Sequence, residues 1–477
     1  MKWPLFSFSR AGQDSRARGS VARHAQRHRQ ASGLARLGLV MICGLATPAL
    51  SADVSERTVL SFEQAVSLAL TRNLSLQTAQ LEIDRARALL AQARAASLPT
   101  LNVSLNYTRL DNDRILGSGD MQRLVAGANQ TSGNVTASMP IVAPARWASW
   151  LHARDNQRVA EISRADVRRQ VAIAAGRACL AVIAQSRLVD VSERSEKTAL
   201  LHFEYASQRL EGGVGNRLDA VRAESELQLT RSQRALSLAA LLRSREALGV
   251  LLAADQPVDC RDAPALLAAD ELADALRGAA EAGHSDPIDD LAQFRSDLRL
   301  WQARAWASAR LIRHGWTDFL PQLSASFAPF FQDPPSIVQP QLGWQARFDI
   351  SWSLFDGGLR YGIRSERWVQ YRQIKTSQQL AQLQARSDVR SALATLQSAR
   401  VAQDAAVRAA GSSEEASLLS MRAYRAGISN NLAVIDAERR ARDTATAATQ
   451  AEDAMQQARL ELLIAAGRFP VDASPKN

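Results

Sequence analysis

The chain has 477 residues, enough for two or three ordinary domains, yet only 24 Gly, 15 Pro and 5% aromatics, a composition suited to long, closely packed helices rather than a large mixed core. Its formal net charge is +10, but Lys2, Arg10, Arg16, Arg18, Arg23, Arg27, Arg29 and Arg36 face only Asp14 in the first 52 residues, so the rest of the chain carries just +3. That distribution removes the main support for nucleic acid as a partner.

Residues 1–52 read as a secretory signal with a long basic n-region. The apolar run from Leu34 to Leu45 is short of the roughly 20 residues that span a bilayer. Thr47, Ala49, Ser51 and Ala52 follow it and place cleavage near Ala52. Cys43 follows Ile42, where lipidation wants a small residue. Beyond the leader, no stretch reads as long and apolar enough for a transmembrane helix.

In residues 53–97, Ser61-Phe62-Glu63-Gln64 has capping-box spacing and opens a helical region. Leu98-Pro99 ends it, because the residue before Pro avoids helical geometry. Residues 98–142 then read as two strands. Leu101, Val103, Leu105 and Tyr107 alternate with Asn102, Ser104, Asn106 and Thr108. A polar loop over 111–131 leads to a second apolar face of Val135, Ala137, Met139 and Ile141, closed by Pro140 and Pro144.

Residues 143–253 predict a long helix to about Glu211, a turn at Gly212, Gly213 and Gly215, and a second helix to about Leu252. Residues 254–285 are irregular apart from one short helix. In 286–319, Asp286-Pro287 supplies a helix start. Residues 320–356 repeat the strand pair; Trp344, Ala346, Phe348, Ile350, Trp352 and Leu354 form its cleanest apolar face, ended by Asp356-Gly357-Gly358. Residues 357–467 repeat the helix pair, broken at Gly427, and 468–477 form a tail.

The fold class is therefore mainly α with a membrane β-barrel, built on a duplicated strand–strand–long helix–helix unit. A soluble sheet with one wet face alternates equally well. Membrane strands are favoured by their length, by aromatics at their ends (Trp147, Trp150, Trp316, Phe319, Trp352, Phe355) and by the leader. Four strands close no barrel, so the chain is expected to oligomerise; two, three or four protomers satisfy the count. The long polar helices must project into an aqueous space.

Enzyme chemistry finds no support in the motifs: there is no phosphate-binding Gly loop with Lys-Ser/Thr, no His-Glu-x-x-His and no nucleophile elbow. No cofactor and no metal is expected. Cys179 and Cys260 fall in different predicted elements, without metal-ligand spacing; a disulfide is open to them, but nothing in the spacing indicates it. A soluble periplasmic coiled-coil adaptor is the alternative class, although adaptors lack paired alternating strands with aromatic ends.

The order and duplication of LSFEQAVSLAL, LPTL and LPQL, WSLFDGG, LEGGVGNRLDAVRAES and YRAGISNNLAVIDAER resemble the TolC family of outer-membrane channel proteins. The resemblance covers nearly the whole mature chain. It implies a homotrimer with a 12-stranded barrel in outer-membrane lipid of a Gram-negative bacterium, on a periplasmic α-helical barrel. It further implies docking to a periplasmic adaptor protein and an inner-membrane ABC transporter, or a proton-driven pump. With its Arg-rich leader the chain also resembles the outer-membrane components of adenylate cyclase–haemolysin (cyclolysin) type I secretion; small-molecule multidrug efflux is the alternative. Carried over by position, Tyr424 and Asp219 match the family's periplasmic latch pair, and Asp436 matches one member of an acidic entrance ring. Ala433 stands where a second ring Asp is expected, and Ser429 where a latch Arg is expected, which implies a weaker resting closure. By residue chemistry alone, Asp219 and Asp436 read as solvated helix charges.

Overall fold

The computed structural model describes residues 59–117, 123–262, 264, 266–281, 294–335 and 339–469. The basic leader, the helix start expected at Asp286-Pro287 and most of the C-terminal tail lie outside these residues.

Strand β1 (Val59–Ser61) runs directly into α1 (Phe62–Arg72). The capping box forms as its spacing predicts: Gln64 N donates to Ser61 Oγ at 3.2 Å, and Ser61 N donates to Gln64 Oε1 at 3.0 Å. The helical region that follows is two helices, not one. Asn73 interrupts it in an extended conformation and caps α2 (Leu74–Ala95), accepting from Ser75 N at 2.8 Å. Its amide also donates to Leu251 O at 2.8 Å, so the break is held by a distant part of the chain.

Eight strands and eight α-helices are defined among the described residues. Strands β2 (Thr100–Arg109) and β5 (Asn129–Val142) form the first pair. The expected loop between them instead contains a short hairpin, β3 (Arg114–Leu116) and β4 (Arg123–Ala126), and β5 starts earlier than its apolar alternation suggests. Pro140 does not close β5. The strand continues to Val142 through a register shift, and a bulge is where a sheet tolerates a residue with no N–H to give.

Pro144 sits at the first position of α3 (Pro144–Glu211), and α4 (Arg217–Leu251) returns alongside it. The segment expected to be irregular apart from one short helix holds a helix, α5 (Leu267–Glu281), and also a short strand, β6 (Asp259–Arg261). Helix α6 (Ser296–His314) and a 3-10 turn (Gly315–Phe319) lead to β7 (Gln322–Asp333) and β8 (Leu342–Ser351). Then come α7 (Leu359–Arg425) and α8 (Asn431–Ala465), so the second half repeats the first. At 1.5 Å per residue, α3 and α7 each extend ~100 Å.

The core gathers α1, the middle of α3, α5, the middle of α7 (Leu359–Arg425) and the ends of α4 and α8. Packing is close: a Cβ on Gly176 of α3 would lie 3.2 Å from the rings of both Phe62 and Phe469. One stretch of α3 proves apolar enough, by length and composition, to cross a membrane, contrary to the sequence expectation. Half of that stretch is buried in the fold, and its apolarity serves this core.

Cys179 of α3 and Cys260 of β6 form a disulfide, with Cα atoms 5.5 Å apart. Their separation in sequence did not indicate it. What brings them together is the parallel pairing of β6 with β1, in which Cys260 lies opposite Leu60. A three-residue strand leaves no alternation long enough to read.

Candidate functional site

Two regions bear on function: the four-stranded sheet and the tips of the two long helical hairpins. The sheet is antiparallel throughout, in the order β2-β5-β7-β8, so the two strand pairs adjoin and β2 and β8 are its edges. Its register sorts side chains by polarity. Leu105, Gly133, Phe331 and Leu342 align across all four strands, as do Leu101, Ala137, Phe327 and Ala346. Between these rows lie polar ones, such as Thr100, Ser138, Ser326 and Arg347. Ser104 Oγ donates to Asn134 Oδ1 on the polar face. That face also carries Phe330, which lies so close to Gly343 that any Cβ there would clash with its ring. The apolar face is bare: Leu105 is 75% exposed and Phe348 72%.

The sheet is fixed to the helices by polar contacts at its base. Trp352 Nε1 donates to Phe319 O at 3.1 Å, and Arg367 Nη1 to Asp318 Oδ2 at 2.7 Å. The Asp356-Gly357-Gly358 turn reverses the chain into α7. Both glycines have positive φ, and the Asp356 carboxylate accepts from Gly358 N at 3.1 Å and from Arg360 Nε at 2.6 Å.

At the far end, the hairpin turns use the same chemistry twice. Gly213 (φ +72°) and Gly427 (φ +77°) take the left-handed conformation that ends a helix. Val214 N donates to Arg209 O at 3.1 Å, and Ile428 N to Ala423 O at 2.9 Å. Asn216 then caps α4, accepting from Leu218 N at 3.0 Å, and Asn430 caps α8, accepting from Ala433 N at 2.8 Å.

Tyr424 is buried at this joint. Its ring meets Tyr205 and His202 edge-on at 5.7 and 6.0 Å, and the Arg209 guanidinium lies over it at 5.1 Å. Burial first, then the negative charge of Asp219, pushes the Tyr424 phenol above its ordinary pKa. Asp219 lies in the first turn of α4, and its backbone carbonyl accepts from Asn431 Nδ2 at 3.1 Å. Tyr424 and Asp219 thus occupy one region. Asp436 stands apart, half-exposed on α8, where its charge is felt by Arg439. Ser429 is half-buried, and Ala433 is exposed.

Two clusters at the joint were not read from the sequence. In the first, His202 is 1% exposed and touches α8 through both ring nitrogens: Nδ1 lies 3.0 Å from Glu438 Oε2 and Nε2 lies 2.7 Å from Asn431 Oδ1. The available signal was Ala199, His202 and Ala206 on a single helix face, with small residues flanking a titratable one. In the second, buried Glu226 of α4 accepts from Arg439 Nε at 2.8 Å and Arg442 Nη1 at 2.7 Å, both of α8. Burial raises the Glu226 pKa, and the two guanidinium groups more than reverse that, leaving it below its ordinary 4.5. No signal at a single position links residues so far apart in sequence.

No curated protein matches the chain. Among solved structures it is similar to CusC, with TM-score 0.70 and 18% identity over 85% of this chain and 92% of that one. It is similar to the outer membrane protein VceC of Vibrio cholerae, with TM-score 0.68 and 14% identity over 85% and 96%. It is also similar to the open state of the MtrE outer membrane channel of Neisseria gonorrhoeae, with TM-score 0.62 and 20% identity over 85% and 88%. The chain therefore has the fold of these outer-membrane channels, and its residues 65–254 match the family described as outer membrane efflux protein.

Proposed function

We propose that three copies of this chain close a 12-stranded barrel in the outer membrane of a Gram-negative bacterium, above a helical tunnel in the periplasm. The assembly is the passive exit duct of a tripartite export system, working with a periplasmic adaptor and an inner-membrane transporter. The sheet carries this reading: four strands with two edges and one continuous, bare apolar face. In lipid each unpaired backbone group costs several kcal/mol, so such edges require partners of their own kind. The number three comes from the resemblance to TolC-type channels, because strand counting alone also permits two or four.

The cargo we favour is a protein leaving by type I secretion, a haemolytic toxin of the cyclolysin class, driven by an ABC transporter. Small-molecule efflux through a proton-driven pump is the second reading, favoured by the family match over residues 65–254. In either case Tyr424 and Asp219 serve as the resting latch and Asp436 as the entrance charge. Membrane fractionation followed by electrophoresis of unheated and heated samples tests the assembly: a heat-modifiable trimer in the outer membrane is expected. A stable soluble monomer in detergent-free buffer would sink it. Deleting the gene separates the cargoes, through loss of a secreted protein in one case and dye accumulation in the other.

A further inference from the structure

The two hairpins, α3–α4 and α7–α8, meet at a fully buried histidine whose hydrogen-bonding demands are unusual. Asn431 Nδ2 donates to the Asp219 carbonyl, so its Oδ1 is the atom facing His202 Nε2. Turning the amide over would set two oxygens against each other at that 3.1 Å contact. Glu438 Oε2 faces the other ring nitrogen. Both nitrogens therefore face acceptors, and only the doubly protonated ring donates to both.

We propose that His202 is a proton-operated lock between the two hairpins: protonated, it fastens α3 to α8 through Glu438 and Asn431, and neutral, it releases that joint. When the ring loses a proton, one bare nitrogen faces an oxygen. With the remaining proton on Nδ1, where the Glu438 carboxylate holds it, the Asn431 amide turns over and gives up the Asp219 carbonyl, so the loss spreads from α3 to α4. The charged and titratable groups facing the ring are Glu438 from α8, Asp219 from α4 and Tyr424 from α7; on its own helix, Arg209 lies against Tyr424. Glu438 also lines a cavity of about 210 Å³ shared by α3, α4, α7 and α8, whose charged lining residues include Arg194, Glu226, Glu414 and Arg442. Its Oε1 is buried and receives no hydrogen bond among the described residues. This cavity is the route by which a proton reaches a ring that is itself sealed.

Burial of the ring opposes its charge, but the Glu438 carboxylate, the Asn431 oxygen and Asp219 outweigh burial and raise its pKa above 6.5. A raised histidine pKa stabilises the fold fully below the unfolded value of 6.5, and that contribution is lost as pH rises through the folded value. The lock is therefore closed in acid and opens toward alkali.

Spin labels at Val214→Cys and Ile428→Cys, both on exposed hairpin tips, read this joint directly. Distances are measured in the detergent-extracted assembly, with labelled chain diluted in unlabelled chain, whether or not the assembly conducts. The expected distribution is narrow at about pH 5.5 and broad at about pH 8.5. The His202→Gln background should show no such change. Glu438→Gln, which keeps the histidine, should lower the midpoint by at least about one pH unit, because it removes the facing negative charge. A wild-type distribution that is the same across this range would overturn the lock. So would a response unaltered in Glu438→Gln, which decides the matter even where His202→Gln fails to fold.

Discussion

Glu226 is a single side chain holding two others. Its carboxylate is almost fully buried between Arg439 and Arg442, while Arg439 is half exposed. Glu226→Gln removes the charge from both contacts and leaves the largely buried Arg442 with only the longer 3.4 Å pairing to Asp443. The expected cost is about 2–3 kcal/mol, at or below the usual range for breaking a buried pair, because Arg439 can turn to water. A carboxylate held below its ordinary 4.5 stabilises the fold above that value and ceases to as pH falls through its folded pKa. Protection from hydrogen exchange over residues 217–230 and 431–445, taken relative to the intrinsic rate at each pH, should therefore fall in acid below about pH 4.5 in the wild type. In Glu226→Gln it should be lower throughout and lack that acid step. An unchanged acid step in the variant would assign the effect to another group. His202 acts in the opposite direction, so the two contacts together hold α8 against α3 and α4 best between about pH 4.5 and 6.5.

At the scale of elements, the alternation of each strand decides what replacement it tolerates. Leu105→Arg or Phe348→Arg puts a charge on the apolar face and should cost ~2–4 kcal/mol near a bilayer midplane. Ser104→Arg and Ser351→Arg lie on the polar face and should assemble normally. Yield of folded oligomer in the membrane fraction distinguishes them, and equal tolerance at both sets would reverse the assignment of faces. These strands were legible because ten-residue alternation is a strong local pattern, as were both long helices and their glycine turns. The β1–β6 pair was not, because three residues carry no period. The Asn73 break was not, because what fixes it is the bond to Leu251 O, 178 positions away. His202, Asn431, Glu438 and Glu226 escaped notice for the same reason. Each is an ordinary helix residue until the two hairpins are placed side by side.

At the scale of the whole molecule, the proposed ring of Asp436 concerns several chains at once. Three carboxylates around a narrow entrance would focus negative potential, since low-dielectric walls concentrate field lines. Asp436→Asn should then shift the reversal potential toward lower cation preference under a salt gradient in planar bilayers. A reversal potential that stays put would leave Asp436 as an outer-surface charge, the reading its half-exposed side chain also allows. The Cys179–Cys260 bond has a mechanical side. It closes a covalent ring that contains the distal part of α3, the Gly213 turn and all of α4. A load applied at the tip travels up both legs and meets again at the sulfur bridge. The first hairpin behaves as a tied beam: its legs can bend together, but neither peels away beyond the tie. The second hairpin has no such tie among the described residues, so under strain the two legs at Gly427 are the pair free to part.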